Sequence, residues 1–210
     1  MEPDGETRCK RVSPSGIEDE ALVKAVKVIC LNDEDGTFPQ LITKAAAAED
    51  DAVGTCIHNI FAVYEQGMDR PAMLKTAEDT IARHGLDVVL NSPNAIVTSA
   101  EILFKFLEGA YGKAVRVEHE LPFRELRDGQ MTVGSIDLVW LTSEKECVLV
   151  DFKNLPGAGR NVLNPDDSRY LGHYAPQQAA YRDALVRGGY TVKACLLYLS
   201  MQGKVVELGM

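Results

Sequence analysis

The chain has 210 residues, 46% hydrophobic and 25% charged, which is typical of a globular protein with one domain and a sizeable core. No apolar stretch is long enough to span a bilayer, and the first residues lack the basic and apolar regions of a signal peptide, so we expect a cytoplasmic protein without a membrane partner. The net charge of -9 weighs against nucleic-acid binding, but residues 1–51 hold 12 acidic and 6 basic side chains and leave only -3 for the rest, which is compatible with a local basic groove.

The N-terminal region is predicted to be mostly helical. Residues 1–12 are polar and are expected to form a flexible segment, followed by a single domain over residues 13–210. A helix is predicted to start near Ser13 or Ser15, with acidic residues in its first turn and with Leu22, Val23, Val26 and Ile29 on one apolar face. Asp33, Gly36 and Pro39 then indicate a loop.

Three further helices are predicted over residues 51–66, 71–84 and from 93 to about 109. The first carries Ile57, Ile60, Phe61 and Tyr64 at helical spacing, and the glycines at positions 67, 85 and 109 suit helix ends. Together with the preceding segment they make residues 13–112 the mainly helical part of the domain.

Residues 113–210 change in character, with short β-rich runs separated by turn residues. Strands are predicted over residues 114–123, 131–141 and 147–152, followed by a loop over 154–168, a helix over 172–187, and strands over 192–200 and 204–208. This order indicates an α/β fold, with a sheet on which the helices pack.

Charged residues follow the buried strand 147–150 in an arrangement suited to metal chemistry. Asp151 and Lys153 are two apart and therefore project from the same face of that strand. The turn near residue 144 can place Asp137 of the preceding strand beside Asp151. Two carboxylates can share Mg²⁺, and an ammonium beside them can stabilise the charge of a phosphodiester under attack. A structural salt bridge is the alternative for the Asp-x-Lys tripeptide alone.

Several motifs then occur in a fixed order along the chain. They are Gly54-Thr55-x-x-His58, Glu120-x-Pro122-Phe123, Gly134-x-Ile136-Asp137, Asp151-Phe152-Lys153 and Tyr174-x-x-Gln177-x-x-x-Tyr181. In this order they resemble the RecB/AddA branch of the PD-(D/E)xK nucleases. Ser13-Pro14-Ser15 and the closing segment 197–208 are similar to the beginning and the terminal hairpin of such domains. The resemblance covers the chain from about residue 13 to its end.

The resemblance implies a restriction-endonuclease-like core, a central mixed β-sheet flanked by helices, with an N-terminal helical region. It implies Mg²⁺ or Mn²⁺ ligated by His58, Asp137, Asp151 and the carbonyl of Phe152. It also implies that Lys153 acts on the attacking water, that Gln177 and Tyr181 brace the site or contact the DNA backbone, and that Glu120 has a supporting role. Asn154 stands where this branch commonly has threonine. The five scattered cysteines include only Cys195 downstream of the site, so no iron–sulfur cluster is expected.

The residues taken singly leave alternatives open. His58 could be a core histidine, Gln177 and Tyr181 could form an ordinary half-exposed helix face, and Glu120 could be a surface acid. Gln178 is adjacent to Gln177 and is expected to point elsewhere. The remaining histidines, His84, His119 and His173, have no metal-ligand spacing and are interpreted as structural.

The expected function is therefore that of a metal-dependent DNA nuclease in double-strand break repair. The chain has no phosphate-binding loop of the G-x-x-x-x-G-K-[ST] type, so a helicase is expected elsewhere in the polypeptide or in a partner subunit. The alternatives are a catalytically silent DNA-binding or scaffolding module on the same fold, and a stand-alone nuclease of a defence system or mobile element.

Overall fold

The computed structural model describes residues 10–12, 24–31, 42–43, 49–87, 90, 93–127, 130–154 and 168–209. Seven strands and four helices lie within these ranges. The strands are β1 (Lys10–Val12), β2 (Lys24–Cys30), β3 (Arg116–Arg127), β4 (Gln130–Leu141), β5 (Glu146–Lys153), β6 (Thr191–Leu199) and β7 (Lys204–Gly209). The helices are α1 (Asp50–Ala62), α2 (Arg70–Arg83), α3 (Pro93–Tyr111) and α4 (Ser168–Arg187).

The strands form one sheet in the order β1-β4-β5-β6-β7-β2, and β3 pairs with the second edge of β4. The pairs β1–β4 and β5–β6 are parallel, whereas β3–β4, β4–β5, β6–β7 and β2–β7 are antiparallel. The sheet is thus mixed and carries helices on both faces, which confirms the expected α/β class.

Strand β5 is buried on both faces, as its apolar run predicts. Val148, Val150 and Phe152 pack into the core formed with α1, α2 and α3. Cys147 and Leu149 point to the opposite core, to which α4 contributes Tyr181. Charged side chains at the end of this strand therefore lie between two helical layers.

The predicted helices of residues 50–111 are confirmed, with small differences at their ends. Helix α1 ends at Ala62, four residues before the expected end, and α2 begins after Asp69, whose carboxylate accepts a hydrogen bond from the Ala72 amide at 3.2 Å. Gly85 follows α2 with a φ of 65°, the left-handed conformation for which glycine is suited. The three-strand meander β3–β4–β5 and the closing strands β6 and β7 are confirmed as well.

The N-terminal helix prediction is wrong over residues 24–30, which form strand β2 along β7. Val26 and Ile29 fit a helical spacing, but this segment is rich in β-branched residues, and the edge of β7 supplies a ladder of backbone partners. The last three residues of the segment expected to be flexible form β1 beside β4. Residues 1–9 and 13–23, including the predicted caps Ser13 and Ser15, lie outside the described residues.

Helix α4 begins at Ser168, four residues earlier than predicted, and the expected loop of residues 154–168 falls outside the described residues after Asn154. Among the described helices, none combines the length and apolar character needed to cross a membrane.

Candidate metal and active site

The site lies on β4, at the point where the strand paired with one of its edges changes from β5 to β1. On one edge, β3 pairs with β4 from Arg116↔Leu141 to Arg127↔Gln130. On the other edge, β5 pairs with residues 138–141 and β1 with residues 130–132. Among the described residues, 133–137 have no strand partner on that second edge. Asp137 stands at the inner end of this opening.

Asp137 replaces a missing backbone contact with its side chain. The register Leu138↔Val150 places Asp137 opposite Asp151, as the sequence predicts, but the described ladder stops one residue before them. Instead, the carboxylate Oδ2 of Asp137 accepts a hydrogen bond from the Phe152 amide at 2.7 Å. The side chain thereby holds β5 at the position where the two strands diverge.

Asp151 and Lys153 form a buried ion pair on the α4 side of β5. The ammonium Nζ of Lys153 lies 2.7 Å from Asp151 Oδ2, and the two side chains are 18% and 2% exposed. Nζ also lies 3.5 Å from Gln177 Oε1 and 4.5 Å from the centre of the Tyr174 ring. The predicted placement of the two charges on one face is therefore present.

Gln177 connects the ion pair to α4. Its amide Nε2 donates to the hydroxyl of Tyr181 at 3.1 Å, so the two helix residues act as one unit beside Lys153. Tyr181 is only 1% exposed, which rules out a half-exposed helix face as its description. Gln178 is fully buried, and its side-chain amide has no hydrogen-bond partner among the described residues.

His58 reaches the site from α1. Its Nε2 lies 2.8 Å from the Phe152 carbonyl oxygen, and its Nδ1 lies 3.7 Å from Asp137 Oδ2. Ile57 and Phe61 on either side are buried in the core, so the helix is fixed while the imidazole stays 27% exposed at its edge. His58 thus faces two oxygen atoms of the predicted ligand set and is not enclosed by the core.

Glu120 has an unusual backbone. Its φ is 48°, which makes it the one non-glycine residue with positive φ in the described part of the chain. The register of β3 and β4 places it opposite Asp137, where two like charges repel. Ser135 donates from Oγ to Glu120 Oε2 at 2.7 Å.

At Glu120 and Asp137 the regular alternation of side chains is interrupted, so each strand exchanges the sheet face to which its apolar residues point. On the near side Val117 and Leu138 belong to the core of α1, α2 and α3, whereas beyond it Leu121 and Ile136 belong to the core of α4. One ligand atom each from His58, Glu120 and Asp137 consequently lies within 4.8 Å of the others. A positive φ at a charged residue opposite another acid indicates a functional constraint.

Burial shifts the pKa values of Asp137, Asp151 and His58. Burial raises the pKa of Asp137 well above its ordinary value, and the charge of Asp151 raises it further. Burial also raises the pKa of Asp151, although Lys153 opposes this. For His58, burial lowers the pKa, which favours the neutral imidazole that can bind a metal.

Lys153 behaves differently because it is surrounded by acids. Burial alone lowers the pKa of the ammonium, but the charge and hydrogen bond of Asp151 and the charge of Asp137 outweigh it and raise the pKa overall. Lys153 is therefore an ammonium at neutral pH and can donate hydrogen bonds but cannot accept a proton.

The donor atoms suit a hard divalent cation. The set contains carboxylates, a carbonyl and one imidazole, and oxygen-rich sites favour Mg²⁺ or Mn²⁺. Adjacent ligands of an octahedral Mg²⁺ lie about 3 Å apart and opposite ligands about 4 Å, so the ligand atoms of His58, Glu120 and Asp137, which lie within 4.8 Å of one another, need to move closer to share one ion. The raised pKa values of Asp137 and Asp151 show that their charged forms are unfavourable here, and a bound cation would stabilise those charged forms.

Sequence reasoning assigned Glu120 only a supporting role, while the structure places its carboxylate among the possible ligands. Asn154, which stands where threonine is common, donates to the Gly54 carbonyl at 3.2 Å and accepts from Ser200. It thereby joins β5 to α1 four residues before His58. His84 lies apart, with Nε2 3.1 Å from the Asn59 amide, and the His173 side chain lies outside the described residues.

A comparison of the chain with protein-family models and with curated protein sequences gives no match.

Proposed function

We propose that the chain is a metal-dependent deoxyribonuclease that hydrolyses phosphodiester bonds with Mg²⁺ or Mn²⁺. The observation that carries the proposal is the convergence of five groups on the opening between β4 and β5. They are His58, Glu120, Asp137, the Phe152 carbonyl and the Asp151–Lys153 pair. The same residues carry the sequence resemblance to the RecB/AddA nucleases.

Each group has a distinct task in this proposal. His58, Asp137, Asp151 and the Phe152 carbonyl would hold the cation, with Glu120 as an additional carboxylate ligand. A bound divalent cation offsets the charge of the phosphate and lowers the pKa of water. Asp137 keeps the Phe152 peptide oriented through its bond to the amide, which directs the carbonyl of the same residue toward His58.

Lys153 supplies positive charge at a fixed place. Its ammonium is held between Asp151, Gln177 and the Tyr174 ring, so it does not need to reorganise when charge builds up on phosphate oxygens. Since its pKa is raised, it donates to the attacking water or to the phosphate and does not remove a proton. Tyr181 and Gln177 maintain its position.

The wider setting also belongs to the proposal. A nuclease of the RecB/AddA type, which the sequence resembles, would act in DNA double-strand break repair, together with a helicase region of the same polypeptide or of a partner subunit.

The test is degradation of linear single- and double-stranded DNA by the chain in Mg²⁺ or Mn²⁺ and in EDTA. We expect cleavage only with the metal, and a loss of ~100-fold or more in Asp151→Ala. Asp79→Ala is the matched control, since that carboxylate is exposed on α2 and pairs with Lys75.

Two results would contradict the proposal. Absence of cleavage by the unmodified chain with either metal would favour a silent DNA-binding module. Equal cleavage by Asp151→Ala and the unmodified chain would overturn the site assignment.

A further inference from the structure

Helix α1 meets the end of β5 along one of its faces. Gly54, His58 and Phe61 are four and three residues apart and therefore share that face. The ring of Phe61 lies against that of Phe152, with ring centres 5.0 Å apart and planes at 86°. Burial of these rings holds the two elements together, but the hydrophobic effect has no direction, so polar contacts decide how α1 lies on β5.

Asn154 makes such a polar contact directly after the end of β5. Its amide Nδ2 donates to the Gly54 carbonyl oxygen at 3.2 Å. In an α-helix the carbonyl of residue i accepts from the amide of residue i+4, so the same Gly54 oxygen also holds the backbone of His58. Asn154 is therefore bound to the turn of α1 that carries His58.

The orientation of Asn154 is determined by Ser200, which follows β6 and is 2% exposed. The Ser200 hydroxyl donates to Asn154 Oδ1, and the Ser200 amide donates to the Lys153 carbonyl at 3.3 Å. Because a carbonyl oxygen can only accept, the nitrogen of the Asn154 amide has to face Gly54, and its oxygen then faces the hydroxyl. Asn154 thus connects the sheet to α1 in a single orientation.

This connection lies where His58 needs support. His58 Nε2 lies 2.8 Å from the Phe152 carbonyl oxygen, and Nδ1 lies 3.7 Å from Asp137 Oδ2. The bond from Nε2 to the carbonyl is broken when Nε2 binds a cation, because a ligating nitrogen carries no proton. The bond of Asn154 to Gly54 does not involve the ligand atoms and remains in place.

We propose that Asn154 is a positioning residue of the candidate site, which sets the distance of His58 from the Phe152 carbonyl and from Asp137 through the Gly54 carbonyl. The effect on a bound metal rests on the proposed nuclease function, whereas the effect on His58 itself does not. Loss of the Asn154 bonds therefore loosens His58 in the metal-free chain and weakens the affinity for the cation, although every ligand is still present.

The first test measures the reactivity of His58 in EDTA, as its rate of modification by diethylpyrocarbonate followed by mass spectrometry. Asn154→Leu keeps the size of the side chain and removes both hydrogen bonds. In this variant we expect His58 to react about fivefold faster, the change that loss of one ordinary hydrogen bond gives. Ser200→Ala is a milder variant that leaves Asn154 in place without its second bond, and it should give a smaller increase.

Trp140→Phe is the matched control for general loosening of the fold. The Trp140 indole donates to the Gly112 carbonyl after α3 at 3.0 Å, so this variant also removes a bond between the sheet and a helix end. It should lower the Tm and leave the reactivity of His58 unchanged, and thermal unfolding shows that each variant is folded. An unchanged rate at His58 in both Asn154→Leu and Ser200→Ala, or an equal rise in Trp140→Phe, would overturn the inference.

Calorimetric titration with Mn²⁺ then tests the consequence for the metal. Asn154→Leu should bind Mn²⁺ about tenfold more weakly, and its DNA cleavage rate should recover at saturating Mn²⁺ because the ligands and Lys153 are unchanged. Measurable but equal affinities of the variant and the unmodified chain would overturn the inference. A faster reaction of His58 in the variant, together with no Mn²⁺ binding and no cleavage by the unmodified chain, supports the positioning of His58 and counts only against the nuclease function.

Discussion

Lys153 is held by groups from two elements, and each of them opposes its movement. Asp151 lies on the same strand, while Gln177 and Tyr174 approach from α4. A lysine in water has many rotamers, and fixing one of them costs conformational entropy. In this protein that cost is met during folding, so the ammonium is already in place before a substrate binds.

Replacement of Lys153 should reduce the cleavage rate strongly and the stability only moderately. In Lys153→Ala we expect the DNA cleavage rate to fall by ~100-fold or more, because the fixed positive charge is lost. Stability should fall by at most about 3 kcal/mol, since Asp151, whose pKa burial already raises, can take up a proton when its partner is removed.

Lys75→Ala is the matched control, since Lys75 pairs with Asp79 at an exposed position of α2. It should change neither property. Cleavage assays and denaturant unfolding measure the two effects, and an unchanged cleavage rate in Lys153→Ala would count against its assigned role.

Individual site residues differ in how far the sequence reveals them. Asp151 and Lys153 follow from the period of a strand, because positions two apart share a face. His58 stands among apolar residues of α1, and its pattern alone equally fits a core histidine. Only the tertiary position of the Phe152 carbonyl, 2.8 Å from its Nε2, separates these readings. The left-handed backbone of Glu120 has no signal in the sequence, because glutamate rarely adopts it.

At the scale of elements, the apolar side chains of the β3–β4 hairpin change from one face of the sheet to the other at one position. The residue Glu120 gives up a favourable backbone conformation there, at a cost of roughly 1–2 kcal/mol for a side chain with positive φ. In return, its carboxylate meets His58 and Asp137 at the edge of the sheet. In a regular hairpin, the side chains of Val117 and Leu121 would point to the same core, as would those of Ile136 and Leu138.

Paired substitutions test whether the backbone or the carboxylate matters. Glu120→Gly should be more stable than Glu120→Ala by about 1–2 kcal/mol, because glycine relieves the positive φ. Both variants should bind Mn²⁺ more weakly than the unmodified chain, and to a similar degree. Thermal unfolding and calorimetric titration measure these two quantities.

The same pair of substitutions at Glu118 provides the control. That residue lies on β3 opposite Val139, in the regular part of the ladder. The order should reverse there, with Gly less stable than Ala by roughly 0.5–1 kcal/mol. If the Gly variant were less stable than the Ala variant at Glu120 as well, the backbone of Glu120 would not be strained.

The element that sequence patterns misjudged is β2. Its apolar positions satisfy a helical period, and its β-branched residues satisfy a strand; local preference does not choose between them. The strand conformation of residues 24–30 is stabilised by β7, which pairs with β2 from Lys24↔Gly209 to Cys30↔Lys204. The helices α1 to α3 were predictable from the helical spacing of their apolar residues, and the meander β3–β5 from short β-rich runs separated by turn residues.

For the whole molecule, the candidate site lowers stability when no cation is bound. Asp137 and Asp151 have raised pKa values in the folded chain, so the folded state holds protons that the unfolded state releases above a pH of about 4. The free energy of unfolding then falls as the pH rises from about 4 through the folded-state pKa values. The stabilising proton uptake is complete only below that window.

We therefore expect Asp137→Asn to be more stable than the unmodified chain at neutral pH in EDTA. The asparagine oxygen can still accept from the Phe152 amide, and the buried charge is gone. The difference should disappear at a pH of about 3, where the carboxyl is protonated in both states. Thermal unfolding over a pH series measures it.

Addition of Mg²⁺ should reverse the order of the two proteins. At a concentration of 100 Kd the unmodified chain gains about 2.7 kcal/mol, or about 5–10 °C in Tm, whereas Asp137→Asn gains little. Asp79→Asn is the control and should follow the unmodified chain. A lower Tm of Asp137→Asn in EDTA, or an equal response to Mg²⁺, would contradict the assignment.

The pairing of β2 with β7 has a consequence for synthesis on the ribosome. Roughly 180 residues of chain separate the two strands, so β2 waits for its partner while the rest of the domain is made. The hairpins β3–β4 and β4–β5, which carry Glu120, Asp137 and Asp151, form from neighbouring segments. We therefore expect the acidic residues to come together early, whereas β2 can pair with β7 only after β7 has been synthesised.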